Sequence, residues 1–170
     1  SHSLKLPKQL PKATMTINVK IDLGYEFDVK ASAADVFAVL SDVPTSASFF
    51  PKVDKLVDLG SNTYRWEMEK IGVASLNLQT IYASKYVSNK AKGTVVWTPV
   101  KSEGNALVSG SWVIRDNKKS TNLVLQINGD LEIPLPSLMK MVVTPVVTGE
   151  FEKMVEKYID NLTKKFGGEA

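Results

Sequence analysis

The chain contains no cysteine. Disulfides, thiolate nucleophiles and cysteine-built metal sites are therefore excluded, and the absence suits a reducing, cytoplasmic setting. It contains one histidine, His2, beside Ser1 in a context that reads as the remnant of an expression tag. Without histidine elsewhere, a Ser-His-Asp triad and a histidine-rich metal site fall away. No apolar run approaches the ~20 residues of a membrane-spanning helix. No glycine-rich phosphate loop occurs, since Gly167-Gly168 lies at the tail.

A strong charge of one sign is lacking as well. Lysine and arginine number 21 against 18 acidic side chains, a net charge of +3. The excess is small and scattered, whereas nucleic-acid binders concentrate a basic stripe, so no nucleic-acid partner is expected. The local exception is an extended N-terminal arm over residues 1–15, broken by Pro7 and Pro11, in which Lys5, Lys8 and Lys12 alternate with Leu4, Leu6 and Leu10. A solvated leader is the favoured reading, with weak contact to an anionic membrane surface as the alternative.

What remains is an ordinary globular chain of 170 residues, 44% hydrophobic and 23% charged. That length favours one domain, over residues 16–170, able to bury about 70% of its unfolded surface.

The clearest pattern starts at Ile17. Ile17, Val19, Ile21, Leu23, Tyr25, Phe27 and Val29 alternate with polar residues and Gly24, which predicts a long strand with one wet face. Ser32 then caps a helix carrying Val36, Phe37 and Leu40, with Asp35 in a box-like position. Asp42 and Pro44 end it, and a second short helical turn is expected over 45–50. Strands follow at 53–59, around Tyr64-Trp66-Met68, over 74–87 with Leu76, Leu78, Thr80 and Tyr82 on one face, at 94–100, through Val108 to Ile114, and through Leu123 to Leu131. Short polar turns between them favour antiparallel hairpins. Residues 134–143 form a separate apolar piece. Thr144-Pro145 then predicts the start of a new helix. On it Phe151, Met154, Val155, Tyr158, Ile159, Leu162 and Phe166 recur at helical spacing, opposite a charged face.

This order resembles the START-like superfamily, also called the helix-grip or Bet v 1-like fold. The segment Ala33-Ala34-Asp35-Val36-Phe37-Ala38-Val39-Leu40-Ser41-Asp42 is similar to the helix after the first strand in its polyketide-cyclase/dehydrase and coenzyme-Q-binding-like branches. Phe49-Phe50-Pro51-Lys52-Val53 is similar to the aromatic segment that follows there. The resemblance spans about residues 16–166. It implies an α+β fold in which a curved antiparallel sheet wraps a long C-terminal helix around an apolar cavity, with two short helices after the first strand. It also implies a hydrophobic ligand such as a lipid, quinone or polyketide. Some members are cyclases or hydrolases, and many are carriers without catalysis.

Candidate ligand contacts follow from the large side chains on inward faces. Tyr64, Trp66 and Met68 share one strand face, and Leu78, Tyr82, Trp112 and Leu125 come from other strands. Met139 and Val143 lie in the apolar C-terminal piece, and Met154 and Tyr158 on the last helix. Their indole and phenol tips would orient a guest, whereas plain core packing is the alternative for any one of them. Trp97 is less securely placed, because Val96 and Thr98 flank it. The segment Leu135–Val147, charged only at Lys140, reads either as a gate flanked by prolines or as a buried connector. Arg65, Glu67 and Glu69 alternate opposite the aromatics and read as a solvated face with ion pairs of little weight.

Binding or transport of a hydrophobic small molecule is thus favoured, with a cyclase/dehydrase-type enzyme as the alternative. Tyr64, Tyr82 and Tyr158 would be its proton donors. No residue is assigned a catalytic role, Glu103, Asp130 and Glu132 included. No metal or cofactor is expected.

Overall fold

A computed structural model describes residues 15–73 and 75–170. Residues 1–14 of the expected arm lie outside the described residues. The strict alternation from Ile17 forms β1 (Ile17–Val29), with Ile17, Val19, Ile21 and Val29 buried. α1 (Ala33–Leu40) follows, capped by the Ser32 hydroxyl, which accepts the Asp35 amide at 3.2 Å. α2 (Val43–Ala47) begins two residues earlier than the sequence suggests, with Pro44 near its start, where a missing amide proton is tolerated.

The remaining strands are β2 (Val53–Gly60), β3 (Thr63–Met68), β4 (Ile71–Val73), β5 (Leu76–Leu78), β6 (Ile81–Asn89), β7 (Thr94–Gly104), β8 (Ala106–Asp116) and β9 (Thr121–Ile133). Six of them join β1 in one seven-stranded antiparallel sheet, in the order β1-β9-β8-β7-β6-β3-β2. β1 pairs with β9 along its whole length, from Ile17 opposite Ile133 to Val29 opposite Thr121.

The expected single strand over 74–87 is corrected. β4 and β5 pair with each other as a small separate hairpin, and only residues from Ile81 onward join the large sheet. The Asn105 side chain accepts from the Ile81 amide and donates to the Gln79 carbonyl, and so fixes the point where the chain joins the sheet. The strand expected at 94–100 runs on to Gly104. There the register between β6 and β7 jumps from Ala83–Val100 to Tyr82–Gly104, and a Cβ on Gly104 would meet the Ile81 carbonyl oxygen at 2.0 Å.

The C-terminal helix is also corrected. No new helix begins at Pro145. A 3-10 turn (Ser137–Met139) leads directly into α3 (Lys140–Lys165), which carries Pro145 inside it. The packing of Val143 and Val147, both buried, holds the turns on either side in helical form. The apolar stretch 135–147 is not buried all round. Leu135, Val143 and Val147 face inward, whereas Leu138, Met141, Val142 and Val146 face out.

The other end of α3 is tied to β1. The Ala31 amide donates to the Phe166 carbonyl at 3.0 Å, and Lys30 donates to Gly168 at 3.2 Å. The Asn161 amide group donates to the Phe49 carbonyl at 2.9 Å and anchors the loop after α2. One core therefore lies between the sheet and α3, closed at one side by α1, α2 and Phe50.

Candidate functional site

Side chains from six strands, all three helices and the Phe50 loop line one cavity. Ile21 comes from β1, Leu125, Ile127 and Leu131 from β9, Val108 and Trp112 from β8, and Val95 and Trp97 from β7. Tyr82 and Tyr86 come from β6, and Trp66 from β3. The facing wall is Phe151, Val155 and Tyr158 of α3, with Leu40, Val43, Ser46 and Phe50 beside it. Neighbouring strands stand about 4.8 Å apart, so strands from β1 to β3 reach a common space only because the sheet curves around α3. The open volume is about 70 Å3, room for about five to seven waters at ~10–15 Å3 each.

Aromatic rings form most of the wall. Trp66 stacks on Tyr82 at 5.8 Å with the planes 11° apart. Phe50 meets Trp66 edge-on at 5.7 Å and Tyr158 at 4.9 Å. Trp112 approaches Tyr158 at 6.1 Å, and Tyr86 approaches Trp97 at 5.7 Å. Trp97 reaches its position because its register partner on β8 is Gly110. A Cβ on Gly110 would stand 2.4 Å from the Trp97 ring and 2.4 Å from the Gln126 carbonyl oxygen.

The polar tips are neutral. The Ser46 and Tyr158 hydroxyls share a hydrogen bond of 2.5 Å, and the Trp66 indole N–H donates to the Tyr86 hydroxyl at 3.0 Å. Burial raises all three cavity phenols. Tyr158 is pushed up to about 12, by burial against the opposing pull of its Ser46 hydrogen bond. Tyr82 and Tyr86 are also raised, by burial first. No aspartate, glutamate, lysine, arginine or histidine lines the cavity. Among the described residues, no group of three histidine, cysteine, aspartate or glutamate side chains is placed to hold a metal ion.

Of the residues singled out from sequence, Trp66, Tyr82, Trp112, Leu125 and Tyr158 come together on this lining. The others stand elsewhere. Tyr64 is half-buried and meets Tyr86 edge-on at 6.0 Å, behind the wall. Met68, Val143 and Met154 are buried in the surrounding core, and Met139 is only partly buried. Leu78 lines a smaller cleft with Ile71, Leu131, Ile133 and Val147. Sequence reasoning missed Tyr86, although it shares the parity of Tyr82 four residues on. It also missed Phe151 and Val155, which fall with Tyr158 on one helical face. Ser46 carried no signal in the sequence, since its role depends on a contact with Tyr158, 112 residues away in the chain.

Arg65 and Glu67 are half-buried on the other face of β3. The Arg65 guanidinium bonds Glu67 at 3.1 Å and reaches Glu103 on β7 at 3.5 Å. Neither carboxylate approaches the cavity lining.

The family model for polyketide cyclase/dehydrase and lipid transport matches residues 20–167. The chain belongs to that family, and its fold is START-like. No curated protein matches the sequence. Among solved structures, a START superfamily protein from Mycobacterium smegmatis is similar at 14% identity, with 86% of this chain and 97% of that one covered and a TM-score of 0.62. A conserved protein from Geobacillus kaustophilus is similar at 13% identity, 89% and 95% coverage and a TM-score of 0.59. The Zhui aromatase/cyclase from a Streptomyces species is similar at 16% identity, 85% and 90% coverage and a TM-score of 0.55. At such identities the likeness is one of fold. No helix of the described residues is long and apolar enough to cross a membrane.

Proposed function

We propose that the protein binds and carries an uncharged hydrophobic small molecule, of lipid, quinone or polyketide-like chemistry, in the cavity between the sheet and α3. The observation that carries this reading is the lining itself: aromatic and aliphatic walls, phenol, indole and hydroxyl tips, and no ionised group. An ionised guest would lose its water with nothing to pair against. A neutral guest gains about 25 cal/mol per Å2 of apolar surface it buries, less the cost of ordering. The proposed contacts are Trp66, Tyr82, Trp112, Leu125 and Tyr158, joined by Tyr86, Trp97 and Phe50. Tyr64, Met68, Leu78, Met139, Val143 and Met154 are proposed to support the wall from behind.

An enzymatic reading has less support. The cavity phenols stay protonated at neutral pH, so they donate hydrogen bonds but do not serve as general bases, and no carboxylate lines the cavity to fill that role.

All three tryptophans of the chain line the cavity, so their fluorescence reports on its contents. Titration with quinones, fatty acids and aromatic polyketides is expected to give saturable changes in emission for neutral compounds. Charged analogues of the same shape are expected to bind about tenfold or more weakly. Native mass spectrometry after mild purification gives the independent measurement. If no compound of these classes changes the emission or the melting midpoint, the proposal fails.

A further inference from the structure

The main cavity and the smaller cleft meet at one side chain. Leu131 lines both, and it is only 4% exposed. The cavity has an open volume of about 70 Å3 and the cleft about 20 Å3.

Two elements run past both spaces in the same order. On β9, residues of one parity face inward. Leu125, Ile127 and Gly129 line the cavity, Leu131 lines both spaces, and Ile133 lines the cleft. On α3, Tyr158, Val155 and Phe151 line the cavity, and Val147, one turn earlier, lines the cleft. The two spaces are therefore successive parts of one apolar track between β9 and α3. Ile71 and Leu78, directly opposed on β4 and β5, border its far end.

Either element serves as a ruler. From Tyr158 to Phe151 the helix advances about 10 Å, and from Phe151 to Val147 about 6 Å more. On the strand, the step from Leu131 to Ile133 is about 7 Å. The cleft thus adds ~6–7 Å to the track by both measures. An extended chain advances about 1.2 Å per bond, so the cavity holds roughly eight chain atoms and the cleft four or five more. Between them stands Leu131. Its Cδ1 atom lies 3.5 Å from where a Cβ on Gly129 would sit, so the side chain lies beside the cavity-lining glycine.

We infer that Leu131 sets the length of the guest: it ends the main cavity and holds the cleft apart as a second compartment. The inference rests on the carrier reading and narrows its ligand to a neutral molecule with an oxygen head and an unbranched chain of about eight atoms. The Ser46 and Tyr158 hydroxyls share one hydrogen bond, which leaves one of their two protons for the head. The chain then runs along α3 towards Leu131.

Straight-chain 1-alkanols from butanol to dodecanol are titrated into the full chain, with tryptophan emission as the readout. In the parent, affinity is expected to rise about fourfold with each added methylene and to level off near octanol. In Leu131→Ala the rise is expected to continue for about four or five methylenes more. The ratio of dodecanol to hexanol affinity should then grow by about tenfold or more. Adding Ile71→Phe to Leu131→Ala places a ring at the cleft, because Ile71 is half-buried there, and should return the levelling-off to the parent length. Leu131→Val keeps a strand-forming apolar residue. It should move the limit by about one methylene, and it carries the test if Leu131→Ala does not melt cooperatively. A limit at the same length in the parent and in the Leu131 variants overturns the inference and leaves the carrier reading intact. A double variant that keeps the longer limit does the same. No saturable binding of any alkanol to the parent overturns both.

Discussion

Three phenols share the cavity, and burial holds each on its protonated side. In an unfolded chain a tyrosine loses its proton near pH 10. In the fold Tyr158 keeps its proton up to about 12, and Tyr82 and Tyr86 are raised as well. Below pH 10 the native and unfolded states bind equal numbers of protons at these groups, so they add no pH dependence. Above pH 10 the unfolded state releases protons that the native state retains, so stability falls as the pH rises through the alkaline range. Urea midpoints measured from neutral pH to pH 12 are expected to stay level and then drop above 10, and Tyr158→Phe should reduce the drop. A level midpoint across the alkaline range would contradict this account of the buried phenols. Ser46→Ala removes the partner of the Tyr158 hydroxyl. It should lower stability by about 1–2 kcal/mol in urea unfolding and move the Tyr158 titration further up, because the Ser46 bond pulls it down.

Pairs of elements decide where the rings stand. β7 and β8 bring Trp97 against Gly110, a position with no room for a side chain. Gly110→Ala must displace either the ring or the β9 carbonyl at Gln126. An expected loss of about 1–3 kcal/mol, with a shifted tryptophan emission, separates this from a harmless surface change. α3 has its weak point near its start. Pro145 cannot donate to the carbonyl four residues back, so the turns before it are held by one bond fewer. Amides at 140–144 are expected to exchange faster than those at 151–162. Pro145→Ala should narrow that difference, as hydrogen exchange followed by mass spectrometry would register. Equal protection along the whole helix would remove residues 134–147 as a gate.

Taken as one body, the molecule wraps a curved sheet around a rod and leaves the space between them incompletely filled. An open volume of about 70 Å3 suits a small guest, and a longer one requires α3 or the Phe50 loop to yield. Such a space represents packing forgone, so filling it should stabilise the empty protein and abolish its binding. Val108→Phe places a ring into the cavity from β8. Its melting midpoint is expected to rise by a few degrees, roughly the effect of 1 kcal/mol in a domain of this size, while the fluorescence response to ligands disappears. A variant that melts higher and still binds would place the ligand elsewhere.

The period-two run from Ile17 to Val29, the Ser32 cap and the helical spacing from Phe151 to Phe166 were legible one residue at a time, because each is a local pattern with a local cause. So were the residues that must be inside, Trp66, Tyr82, Trp112, Leu125 and Tyr158 among them. The break between β5 and β6 was not legible, since Leu76, Leu78, Thr80 and Tyr82 keep one parity straight through it. Nor was the continuity of α3 across Pro145, where burial of Val143 and Val147 outweighs a local helix-stop signal. Composition and periodicity determined that this chain is an antiparallel sheet with a terminal amphipathic helix and a greasy interior. Only the tertiary structure decided which buried rings border open space and which, like Met68 and Met154, are simply packed. That difference depends on sheet curvature and on contacts such as Ser46 with Tyr158, made by residues far apart in the chain, which no local pattern encodes.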